Sequence, residues 1–143
     1  MKSRELRIGN VLLCEEIRHE HNGKLMLIGV YVGDVIVASF PANLRLQYYV
    51  EYLPDRVGSE EIFFKFYNSA DKGEMKIKAS VEVFEPSVIA DINPPQVTVT
   101  VSEESTLDLS ISLDGETWKL ISSKRVIRGE LPNAPPVALS KPK

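Results

Sequence analysis

The run Glu74-Met75-Lys76-Ile77-Lys78-Ala79-Ser80-Val81-Glu82-Val83 settles the class of fold. Met75, Ile77, Ala79, Val81 and Val83 fall at every second position, with charged residues and one serine between them. Successive side chains of a β-strand point to opposite faces, so this stretch carries one apolar and one polar face. The same period recurs along the chain. Val97, Val99 and Val101 alternate with Gln96, Thr98 and Thr100, and Leu107, Leu109, Ile111 and Leu113 with Asp108, Ser110, Ser112 and Asp114. Leu44, Leu46, Tyr48, Val50 and Tyr52 behave likewise, followed by Ile62, Phe64 and Phe66. No segment shows the apolar spacing of an amphipathic helix. The reading is an all-β fold of eight or nine strands, a two-sheet antiparallel β-sandwich. An immunoglobulin-like arrangement is the first choice, with C2-like and jelly-roll arrangements as alternatives.

Two dipeptides propose hairpins. Asn22-Gly23 separates a strand from about Val11 to His19 and another from Leu25 to Val32. Asn-Gly suits the two positive φ values of a type I′ turn. A two-residue turn would pair His21 with Lys24, Ile17 with Ile28 and Leu13 with Val32. Asp114-Gly115 would likewise pair Ile111 with Trp118 and Leu109 with Leu120, which turns Trp118 inward. Pairing Leu44–Leu53 with Glu61–Asn68 would gather Arg45, Tyr49, Phe63, Lys65 and Tyr67 on one outer face. Pro41, Pro54-Asp55, Gly58, Ser69–Gly73, Pro86 and Pro94-Pro95 mark the other breaks.

These readings place a single domain at residues 1–128. Residues 129–143 contain Pro132, Pro135, Pro136 and Pro142 and read as an extended or disordered tail, because proline cannot donate to a ladder. Seventeen basic against twenty acidic residues leave a formal charge of −3. That balance is unlike a phosphate-tracking surface, so nucleic acid is not the expected partner. Cys14 is the sole cysteine, which excludes an internal disulfide and a multi-thiolate zinc site. Neither a signal peptide nor an apolar run of roughly 18 residues is visible, so a membrane is not expected and the cytoplasm is.

Leu12-Leu13-Cys14-Glu15-Glu16-Ile17-Arg18, Asn22-Gly23-Lys24-Leu25, Leu27-Ile28-Gly29-Val30-Tyr31 and Phe40-Pro41 together form a recognisable pattern. It resembles a family of small stand-alone bacterial proteins with no assigned activity. The resemblance implies a β-sandwich of bacterial or phage origin and brings no catalytic residues.

The motifs that bear on chemistry are few. His19 and His21 would share a strand face and could meet one metal, but the chain has no other histidine to complete the shell. Cys14 has the opposite strand parity to His19, which suits a small buried apolar residue better than a nucleophile. Gly-x-Ser-x-Gly and phosphate-loop signatures are absent. One of Glu15 and Glu16 threatens to be buried, and pairing with Arg18 or Lys24 is the plainest remedy. Asp34, Asp55, Asp71, Asp91 and Asp114 fall in expected loops, where aspartate forms turns as readily as it binds calcium. The expectation is therefore a non-enzymatic module without a cofactor, binding a protein partner or a second copy through Tyr49, Phe63, Tyr67, Arg45 and Lys65. The alternative is a carbohydrate or small-ligand module at the loop end of the sandwich, with Trp118 engaged if the hairpin register is otherwise.

Overall fold

The computed structural model describes residues 6–130, and the region beyond, including most of the expected tail, lies outside the described residues. Among the described residues eleven strands account for the regular structure: β1 (Arg7–Cys14), β2 (Glu16–His19), β3 (Leu25–Ile28), β4 (Val35–Val37), β5 (Ala42–Leu53), β6 (Gly58–Asn68), β7 (Gly73–Val83), β8 (Ala90–Ile92), β9 (Val97–Val101), β10 (Ser105–Ser112) and β11 (Lys119–Arg128). The fold is all-β and sandwich-like. One sheet is built on β5, with β1 along one edge and β8 and β9 sharing the other. The second runs β4-β11-β10-β6-β7, and β2-β3 forms a separate ribbon. The β4–β11 pair is parallel, so the expected antiparallel rule fails there. Among the described residues no helix is long and apolar enough to cross a membrane.

Alternation places the core as expected. Leu44, Leu46, Tyr48, Val50 and Tyr52 of one sheet and Ile62, Phe64, Phe66, Leu107, Leu109 and Ile111 of the other are buried in a common cluster. Tyr48 and Phe66 meet across it with ring centroids 6.1 Å apart. Each fully buried Leu, Ile, Val or Phe side chain contributes about 1.5–3 kcal/mol relative to exposure, so this layer is the main source of stability.

The expected β5–β6 pairing is wrong. β5 pairs with β1, β8 and β9, while β6 pairs with β7 and β10. The two strands face each other across the core. A period of two fixes which face of a strand is apolar, but it does not name the neighbouring strand.

Both hairpin registers also differ from expectation. Ile17 pairs with Leu27 and Arg18 with Met26, one residue out of the two-residue-turn register. The loop has three residues, His21-Asn22-Gly23, closed by the Gly23 amide donating to the Glu20 carbonyl at 3.2 Å and the Glu20 amide to Lys24 at 2.9 Å. Only Gly23 has positive φ, at 80°, which fits a three-residue hairpin ending in a left-handed glycine and not a type I′ turn. In the second hairpin Ile111 pairs with Lys119 and Leu109 with Ser122, the register stepping between Leu109 and Ser110. Ile121 is the extra residue of that bulge and packs against the core, while Leu120 turns outward and is 57% exposed.

The first expected strand is broken as well. Glu15 interrupts it, its amide donating to the carbonyls of Ile28 and Gly29 at 3.0 and 3.1 Å. β1 thereby joins the β5 sheet while β2 leaves with β3. Gly29 opposite has φ of 66°, and the Glu15 side chain occupies the space where a Cβ would stand.

Candidate functional site

The split of β5 from β6 dissolves the expected aromatic surface. Arg45 and Tyr49 lie on the outer face of the β5 sheet, and Phe63, Lys65 and Tyr67 on the outer face of the opposite sheet. Both sets are also engaged locally. The Tyr49 hydroxyl donates to Glu51 Oε2 at 2.6 Å, and that bond, with desolvation, pushes its pKa up to about 12. Glu16 draws together Arg18 and Arg45, with Nε and Nη2 at 2.5 and 3.1 Å from its oxygens. The Arg18 hydrogen bond is the main reason that its carboxyl titrates low. Breaking the strand at Glu15 leaves that side chain exposed, so neither carboxylate of the pair is buried without a partner.

The strand that would set both histidines on one face ends before His21. His19 closes β2 and His21 opens the turn, both exposed. Among the described residues no three His, Cys, Asp or Glu side chains gather to hold a metal. Cys14 is fully buried, with Sγ 3.3 Å from the Gln47 carbonyl, and burial pushes its thiol pKa up. A raised pKa leaves less thiolate, so Cys14 is a poor nucleophile. Asp34 is held by Arg125 at 2.6 Å, which lowers its pKa.

A concave feature lies at one end of the sandwich, where the β5–β6 connection, the start of β6 and the β10–β11 connection meet. It is a cleft of about 680 Å³ whose wall includes Arg56, Glu60, Glu61, Asp114, Trp118 and Lys119. Asp114 builds its rim. Asp114 Oδ1 accepts the Glu116 and Thr117 amides, both at 2.8 Å, and the Ser112 hydroxyl at 2.9 Å. The amide of Gly115 donates to Ser112 Oγ at 2.9 Å. These donors, the Thr117 amide first, hold the Asp114 carboxyl well below the ordinary carboxylate range. Aspartate here organises an extended loop through its own side chain and does not serve a two-residue turn. Gly115, at φ of 79°, lies over Phe63, so that a Cβ would stand 3.8 Å from the ring.

This loop delivers Trp118 to the outer face of the second sheet, contrary to the inward position expected from the two-residue turn. Lys65 Nζ caps its ring at 4.6 Å from the centroid and Lys76 Nζ stands at 6.0 Å, both within cation–π range. Glu60, also in the wall, is only 7% exposed, with Arg56 Nε 4.0 Å from its Oε1. The cleft therefore combines an aromatic wall with carboxylates and cations that converge from three chain segments. Sequence reading missed Arg56, Glu60, Glu61 and Lys119, because their proximity depends on the β10–β11 connection folding back over β6. No protein-family model matches the chain, and no curated protein matches it.

Proposed function

We propose that this chain is a non-enzymatic binding module that takes a carbohydrate in the Trp118 cleft. The carrying observation is the cleft itself: about 680 Å³, lined by the only tryptophan together with Arg56, Glu60, Glu61, Asp114 and Lys119. Ligand sites are typically clefts of roughly 300–1,000 Å³ in which an apolar or aromatic wall supplies contact area and a few polar groups fix orientation. A sugar ring presents C–H faces to an aromatic surface and hydroxyls at its rim. Carboxylates accept from those hydroxyls, and Arg56 and Lys119 donate to them. The Asp114 network supports the reading further, since a rim whose loop is already hydrogen-bonded loses little freedom when a ligand arrives.

A glycan array of mono- and oligosaccharides, followed by calorimetry on the hits, tests the reading. The expected outcome is saturable binding of at least one glycan, abolished in Trp118→Ala. Absence of any saturable glycan, or binding that persists unchanged in Trp118→Ala, overturns it.

A further inference from the structure

The edge of the second sheet carries a separate inference, which does not rest on glycan binding in the cleft. β7 is eleven residues long and, among the described residues, pairs only with β6. Its outward edge is therefore a row of backbone donors and acceptors facing away from the sheet, the feature on which another strand adds. Its core-side residues Ile77, Ala79 and Val81 are only half-buried and Met75 is 40% exposed, so the sandwich stands open along this side. Beyond the strand, Phe84 is 82% exposed.

We infer that β7 pairs antiparallel with β7 of a second copy about a two-fold axis at Ala79, closing the sandwich edge as a homodimer. The register follows from charge together with the length of strand paired. A two-fold pairing keeps outer residues opposite outer residues, so Glu74, Lys76, Lys78, Ser80 and Glu82 meet their own kind on the partner strand. An axis at Lys78 sets that lysine against itself and Glu74 against Glu82, and an axis at Ile77 sets Lys76 against Lys78. Like charges directly opposite are destabilising. An axis at Ala79 puts Lys76 opposite Glu82 twice and Lys78 opposite Ser80 twice. On the core side it stacks Met75 on Val83 and Ile77 on Val81. It also pairs nine residues within the strand, from Met75 to Val83, whereas an axis at Ser80, which sets Lys78 opposite Glu82 twice, pairs only seven and leaves Met75 and Lys76 without a strand partner. The charges that would guard this edge against unspecific pairing thus select one partner, the same strand reversed.

Sedimentation equilibrium over a concentration series, with charge-reversed and cysteine variants, tests the proposal. Wild type is expected to dimerise. Lys76→Glu and Glu82→Lys alone each convert two attractive pairs into two repulsive ones and weaken the dimer by about tenfold or more. The double variant restores the pairs and the affinity. Ala79→Cys is the only strand position that meets itself, so mild oxidation links this variant into a covalent dimer, while Lys78→Cys stays unlinked. This readout holds even if a charge reversal lowers stability. A wild type that remains monomeric, a dimer indifferent to both reversals, or equal crosslinking at positions 78 and 79 overturns the proposal.

Discussion

Truncating Leu109 and Leu120 to alanine, one at a time, measures the β10–β11 register directly. In a two-residue-turn register the two leucines face each other inside the core, and each truncation costs the 2–5 kcal/mol usual for a buried leucine. In the structure Leu109 is 2% exposed within the core cluster, whereas Leu120 pairs with Ser110 on the outer face and is 57% exposed. Full burial of a leucine stabilises by about 1.5–3 kcal/mol, and Leu120 buries less than half of its surface. Its alanine variant leaves no enclosed cavity either, so its cost is about 1 kcal/mol or less. Urea unfolding of the wild type and both variants, compared at a common slope, reads these differences. Leu109→Ala is expected to lower the midpoint several times further than Leu120→Ala. Equal losses would refute the observed register and, with it, the outward position of Trp118.

Other perturbations follow from local geometry. Gln47 accepts the Ile17 amide at 2.8 Å and donates to the Pro94 carbonyl at 3.3 Å, tying β5 to the ribbon and to the β8–β9 connection. Gln47→Ala should cost about 1–3 kcal/mol by chemical unfolding, since it strands a part-buried amide; a neutral result would show that water replaces the bridge. Gly29→Ala meets both a left-handed backbone and the Glu15 side chain, and should cost about 1–2 kcal/mol for the backbone alone. Adding Glu15→Ala in a double-mutant cycle should recover the steric part and leave the backbone part, while full recovery would contradict the φ argument. For Asp34, the Arg125 pair lowers the folded pKa, so its stabilisation is present above the unfolded value of about 3.9 and is lost as pH falls through the folded one. Asp34→Asn should therefore melt below wild type near neutral pH and converge on it in acid; a gap independent of pH would refute the linkage.

The parts of the fold legible in the sequence are those governed by neighbours along the chain. Alternation marked Leu46, Tyr48, Val50, Ile62, Phe64 and Phe66 as core, and all are buried. Turn residues placed the breaks at Asn22-Gly23 and Asp114-Gly115. What alternation leaves open is partnership. Nothing between residues 44 and 68 distinguishes β5 and β6 as neighbours within one sheet from β5 and β6 facing across a core, because either arrangement buries the same side chains. Register was lost for a different reason. A glycine at positive φ serves a three-residue hairpin as well as a type I′ turn, and Asp114 can cap a longer loop with its carboxylate. The bulge at Ile121 satisfies two adjacent apolar residues by turning one inward, an option that strict alternation does not represent. Trp118 was misplaced on those grounds, and the cleft around it with it.

Trp118 is the only tryptophan in the chain and lines the cleft, so tryptophan emission reports on its surroundings. Titrating the protein with the glycan selected on the array, while following tryptophan emission, is the most direct measurement of the binding proposal. A saturable change in intensity or wavelength is expected, accompanied by protection from acrylamide quenching at the same midpoint. Emission and quenching that stay unchanged at concentrations where calorimetry shows the glycan bound would contradict it.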